Sequence, residues 1–115
     1  MARIRHLAIV TANQERLVKF YTTAFGMKVV ESTGPGVYLS DGYLNLTITQ
    51  KRPGFQEGLY HFGFEIENVD ALRSVFKDLG AASELEERGP ERGAEFRIHD
   101  PDGNLIDLSE HGWPT

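Results

Sequence analysis

The chain opens on an apolar, branched run from Ile4 to Val10 that reads as a buried strand, with His6 as its one polar interruption. Thr11-x-x-Gln14 then has the form of a capping box. Leu17, Phe20, Tyr21 and Ala24 recur at helical spacing as far as Gly26, which suits a left-handed residue closing a helix of about four turns. Residues 27–32, 36–39 and 43–49 read as three short strands, separated by Thr33-Gly34-Pro35-Gly36 and Ser40-Asp41-Gly42, both turn-forming stretches. The pattern predicts the order βαβββ.

Residues 51–58 break every period, because Pro53, Gly54 and Gly58 suit neither a helix nor a ladder. After this linker the order repeats. A strand is expected over 59–67, then a helix capped by Asn68 that carries Val69, Leu72, Val75, Phe76 and Leu79 on its apolar face and ends at Gly80. Further strands are expected over 81–87, 94–98 and 104–109. A constant offset of 55 residues carries His6 onto His61, Leu17 onto Leu72 and Tyr21 onto Phe76. Farther on, Asp41-Gly42 is matched by Asp102-Gly103, and Leu44 and Leu46 by Ile106 and Leu108. Internal duplication is the simplest account. The expected fold is α+β: two tandem βαβββ modules, about 1–50 and 59–115, forming a curved mixed sheet around a cleft with the helices outside, all in one domain.

Composition narrows the chemistry. A chain of 115 residues with 40% hydrophobic content has the material for one core. A net charge of −5 with no basic run argues against a nucleic-acid partner. Without cysteine, any metal must be held by nitrogen and oxygen, and a reducing cytoplasm is the expected location. The apolar stretches are too short for a signal core or a membrane span, so no membrane partner is expected.

Strand alternation sorts the polar residues by face. If Leu7 and Ile9 lie under the first helix, then His6, Ala8 and Val10 face away from it. If Leu44, Leu46 and Ile48 pack, then Tyr43, Asn45, Thr47 and Thr49 form a polar opposite face. The same elimination turns His61, Gly63 and Glu65 away from Phe62, Phe64 and Ile66, and Asp107 and Ser109 away from Ile106 and Leu108. Each module thus offers one histidine and one short polar residue, His6 with Asn45 and His61 with Asp107. Two imidazoles and a carboxylate form the facial triad favoured by Fe(II), and Mn, Co, Ni or Zn can use the same donors. The same residues also admit a plain reading, with the histidines as surface or core residues and Asp107 as a turn cap. Repetition in both halves favours the metal.

Several motifs resemble the vicinal oxygen chelate superfamily of glyoxalase I, extradiol dioxygenases, methylmalonyl-CoA epimerase and bleomycin-resistance proteins. Residues 4–10 resemble its opening strand with the first ligand. Phe20-Tyr21 through Phe25-Gly26-Met27 resembles its first helix end, and residues 60–64 resemble the strand of the second histidine. Asp100-Pro101-Asp102-Gly103-Asn104 through Leu108 resembles its most specific segment, with the acidic ligand falling on Asp107 and Glu110 as the fallback. The family's ligand is usually glutamate, one methylene longer. Its fourth position falls on Asn45, a weak ligand, which argues against glutathione-dependent glyoxalase chemistry.

The resemblance implies one divalent ion that binds neighbouring oxygens of a small substrate and stabilises an enediolate or catecholate, as in a dioxygenase or a lyase or isomerase. The rival is a binding protein of the bleomycin-resistance type that sequesters a small molecule without catalysis. Asn45 and Thr47 are candidate substrate contacts. Glu65, Tyr43 and His111 are candidate proton carriers, although each also reads as a solvated, packing or tail residue. A homodimer is expected from the resemblance.

Overall fold

A computed structural model describes residues 1–32, 34–80 and 85–115. The first module runs β1 (Arg3–Thr11), α1 (Gln14–Phe25), β2 (Lys28–Val30), β3 (Val37–Ser40) and β4 (Asn45–Gln50). The second runs β5 (Gly58–Glu65), α2 (Val69–Asp78), β6 (Glu86–Glu87), β7 (Phe96–His99) and β8 (Leu105–Ser109). The fold is α+β. The eight strands among the described residues join one open mixed sheet in the order β2-β3-β4-β1-β5-β8-β7-β6, which does not close into a barrel. Among the described residues no helix is long and apolar enough to cross a membrane.

Most boundaries fall close to those read from the pattern, and the exceptions have local causes. Helix α1 is capped by Asn13, whose side chain accepts from the Arg16 amide, and not by Thr11, which stays in β1. Thr11 Oγ1 instead accepts from the Asn13 amide at 3.2 Å, holding the turn that places the true cap. The helix therefore has 12 residues, nearer three turns than four. It ends at Gly26, where φ is 68° and a side chain would be strained. Phe20 lies at the margin of the packed face and stays half exposed, in edge contact with Tyr21 and Phe25. Helix α2 starts as expected, with Asn68 accepting from the amides of Asp70 and Ala71. Of the strand expected over 81–87, Glu86 and Glu87 pair with β7, and residues 81–84 lie outside the described residues.

Each module has its own core on the helix side of the sheet. Leu39, Leu46 and Ile48 meet Leu7, Ile9, Leu17, Val18 and Tyr21 in the first. Ile66, Val69, Ile98 and Leu108 meet Phe64, Leu72 and Phe76 in the second. Leu39 and Ile48 are fully buried, so truncating either to alanine costs about 2–5 kcal/mol. The modules join where β1 runs antiparallel to β5.

This seam positions the other face. Strand register aligns Asn45 on β4 with His6 on β1, His6 with Gly63 on β5, Gly63 with Asp107 on β8, and Asp107 with Arg97 on β7. Five strands thus contribute one residue each to a single row. His61 stands two residues from Gly63 on β5 and so shares its face.

Candidate metal centre

The row converges on a small, nearly dry cluster. His6 is 4%, His61 9% and Asp107 4% exposed. His61 Nε2 lies 3.0 Å from His6 Nε2 and 3.0 Å from Asp107 Oδ2. All three donor atoms lie within 4.8 Å of one another and come from one chain.

Asn45 settles which nitrogen of His6 faces this cluster. Its Nδ2 donates to the Pro114 carbonyl at 3.0 Å, and its Oδ1 accepts from Thr47 Oγ1 at 2.9 Å. With the amide oriented in this way, Oδ1 meets His6 Nδ1 at 2.8 Å, so Nδ1 must carry the proton and Nε2 keeps its lone pair. Trp113 stacks on the His6 ring, with centroids 4.7 Å apart and planes 5° from parallel. Gly63 makes this possible, because a Cβ there would stand 2.7 Å from the indole and 3.2 Å from His6 Cβ.

Asp107 is held from its other side. Arg97 Nε donates to Asp107 Oδ1 at 2.7 Å, and Arg88 Nη1 lies 3.9 Å from the same oxygen. Burial alone would raise the Asp107 carboxyl, but hydrogen bonds from His61 and Arg97 override it and hold the group well below the usual carboxylate range. Burial pushes His6 down, and the neighbouring His61 ring adds to the effect, placing it at about 4.

These donors fit a divalent cation. Two ligands at right angles around an ion about 2.1 Å from each are about 3.0 Å apart, the separation of two of the three donor pairs here; all three lie within 4.8 Å. When Nε2 of His61 is a ligand, the proton sits on its buried Nδ1, which has no acceptor among the described residues, so His61 lacks the support that Asn45 gives His6. Two imidazole nitrogens and a carboxylate oxygen turned toward one point are poorly satisfied by one another's hydrogens and well satisfied by a metal.

The cluster opens on a cleft of about 290 Å³ lined by His6, His61 and Asp107 together with Thr47, Tyr38, Tyr60, Trp113 and several arginines. Thr47 stands on its wall. Asn45 does not line it, being fully buried behind His6. Nor do the three proton-carrier candidates. Glu65 pairs with Arg5 at 3.2 Å at the end of β5, Tyr43 lies under the Arg5 guanidinium, and His111 pairs with Glu95 at 3.2 Å on the outside. Glu110 is engaged elsewhere, its Oε2 accepting from the Val69 amide at the start of α2. Arg97 and Arg88 were not among the sequence candidates. Pairing β7 with β8 around the Asp100–Gly103 turn places Arg97 opposite Asp107, and that hairpin count was the available signal.

The fold and site define a duplicated α+β protein whose two modules share one polar cleft. The family model of the Glyoxalase/Bleomycin resistance protein/Dioxygenase superfamily matches residues 3–108, and the chain belongs to that superfamily. No curated protein matches the sequence. Among solved structures, a hypothetical protein from Bacillus halodurans is similar at a TM-score of 0.70 and 16% identity, covering 93% of this chain and 92% of that one. Methylmalonyl-CoA epimerase from Streptomyces coelicolor is similar at 0.62 and 22% identity, with 98% of each chain covered. An extradiol ring-cleaving dioxygenase from Brevibacterium fuscum is similar at 0.72 and 22% identity over 98% of this chain and 33% of its own. At these identities the likeness is one of fold.

Proposed function

We propose that the protein is a divalent-metal-dependent enzyme acting on a small substrate with two neighbouring oxygens, its ion held by His6, His61 and Asp107. The observation that carries this reading is the pair of 3.0 Å separations among buried donors that open on a cleft of ligand size. A bound divalent ion there supplies Lewis acidity to the substrate oxygens. The chain's own residues do the rest. Asn45 fixes the His6 tautomer, Arg97 orients the Asp107 carboxylate, and Trp113 closes one side of the cluster against water.

Within this class, ring-opening of a catechol-like substrate by dioxygen is favoured over proton-transfer isomerisation. Asn45 is fully engaged and supplies no fourth ligand, so three protein donors would leave positions on the ion for substrate and dioxygen. The reaction would place both atoms of O2 in the product as one carbon–carbon bond breaks. The three donors meet within the single chain described, and a homodimer and a cytoplasmic location are proposed from resemblance and composition.

A sequestering protein without catalysis is the second reading. It is favoured by Arg97, whose pairing with Asp107 Oδ1 at 2.7 Å offsets the charge that would otherwise attract a cation. Equilibrium dialysis against Fe(II), Mn(II) and Co(II), followed by oxygen-uptake assays on a panel of catechols, separates the two. Stoichiometric metal with substrate-dependent oxygen uptake supports the enzyme. Tight ligand binding that is indifferent to metal and to oxygen overturns it.

A further inference from the structure

The cleft wall beyond the histidines is basic in an acidic chain. Arg52, Arg88, Arg92 and Arg97 line it against Glu91 and Asp107, although the net charge of the protein is −5. Two of the arginines are mostly buried, the side chains of Arg88 and Arg97 being 16% and 15% exposed. Both guanidiniums address the same oxygen, Asp107 Oδ1, at 3.9 and 2.7 Å, while the other oxygen of that carboxylate faces His61. Arg97 takes the hydrogen bond. Arg88 at 3.9 Å is outside hydrogen-bonding reach, and among the described residues no second carboxylate forms an ion pair with it.

Arg88 is nonetheless held in place. Its backbone amide donates to the Glu95 carbonyl at 2.7 Å, and the turn that follows is closed by the Arg92 amide on the Gly89 carbonyl at 3.3 Å. Glu95 Oε1 in turn accepts from the Glu110 amide at 2.8 Å, tying this hairpin to the end of β8. A guanidinium largely withdrawn from water that must share its nearest carboxylate, Asp107, with Arg97 is costly unless a further anion completes it. A cation at His6, His61 and Asp107 increases the positive excess.

We infer that the ligand of this cleft carries an oxyanion group, and that Arg88, backed by Arg92, is the residue that receives it. A guanidinium fork matches a carboxylate or a phosphate through two parallel hydrogen bonds. The inference deepens the proposed function by naming the substrate class as an anionic molecule with neighbouring oxygens. It rests on that reading only for the neighbouring oxygens, because the arginine subsite exists without a metal.

The test compares 3,4-dihydroxybenzoate with catechol by calorimetry on chelator-treated and on metal-loaded protein. In both forms the acid binds at least about tenfold tighter than catechol, the difference shrinks as salt rises, and Arg88→Gln removes it while Arg88→Lys keeps part of it. Competition by inorganic phosphate and by acetate assigns the anion, since the stronger competitor identifies the native group. Equal affinity for acid and catechol overturns the inference. So does an acid preference that survives in Arg88→Gln, or no saturable binding of the acid below about 10 mM. Loss of metal binding with the acid preference intact contradicts the metal reading alone.

Discussion

His6 Nδ1 and Asn45 Oδ1 meet at 2.8 Å on adjacent parallel strands, and this contact decides the protonation of the imidazole at the heart of the site. Replacing Asn45 with leucine removes the acceptor and frees the tautomer. Metal affinity is expected to fall about 10- to 100-fold, the usual effect of losing such a supporting partner. Calorimetric titration with Co(II) checks it, and Asn45→Asp, which restores an acceptor at the same place, should recover most of the loss.

Gly63 is the gap into which Trp113 fits. A methyl group there stands 2.7 Å from the indole, so Gly63→Ala must push Trp113 off His6. The expected cost is about 1–3 kcal/mol in denaturant unfolding, accompanied by a red shift of the emission of the chain's single tryptophan. Unchanged emission together with unchanged stability would show that Trp113 does not cover His6.

The metal-free protein should lose stability in mild acid. His6 resists protonation down to about 4 in the fold, whereas the unfolded chain takes up that proton near 6.5, so the unfolded state binds more protons between these values. Stability is therefore flat above about pH 6.5 and falls as the pH drops toward 4, by up to about 3 kcal/mol from this residue. Asp107, whose folded carboxyl lies below the usual range, adds a further loss once the pH falls below about 4. Urea titrations of wild type and His6→Gln at about pH 7.5, 5.5, 4.5 and 3 check it, the variant being expected to lose the slope between about 6.5 and 4 and keep the one below about 4.

Much of this site was legible in the sequence because strand alternation and internal duplication are both local patterns. Parity puts His6, His61 and Asp107 on one face, and in the structure Leu7, Ile9, Phe64 and Ile66 pack on the opposite, helix side. Parity does not give direction at strand ends. Glu65 shares the parity of His61, yet it lies at the last residue of β5, near the register shift between Ile4 and His6, and is captured by Arg5. Asn45 has the right face but packs behind His6, a position set by β1–β4 register and by the Pro114 carbonyl. Trp113 follows the last strand, where no period exists to place it. Thr11 and Asn13 are both good caps, and only the length of β1, which takes in Thr11, makes Asn13 the start of α1.

The most direct test of the central claim is the electronic and X-ray absorption spectrum of protein titrated with one equivalent of Co(II), alongside His61→Ala. One tightly held ion per chain with two imidazole ligands is expected, with the weak visible bands of a five- or six-coordinate centre and loss of the signal in the variant. A wild-type protein that takes up no Co(II), or a spectrum identical in His61→Ala, would contradict it.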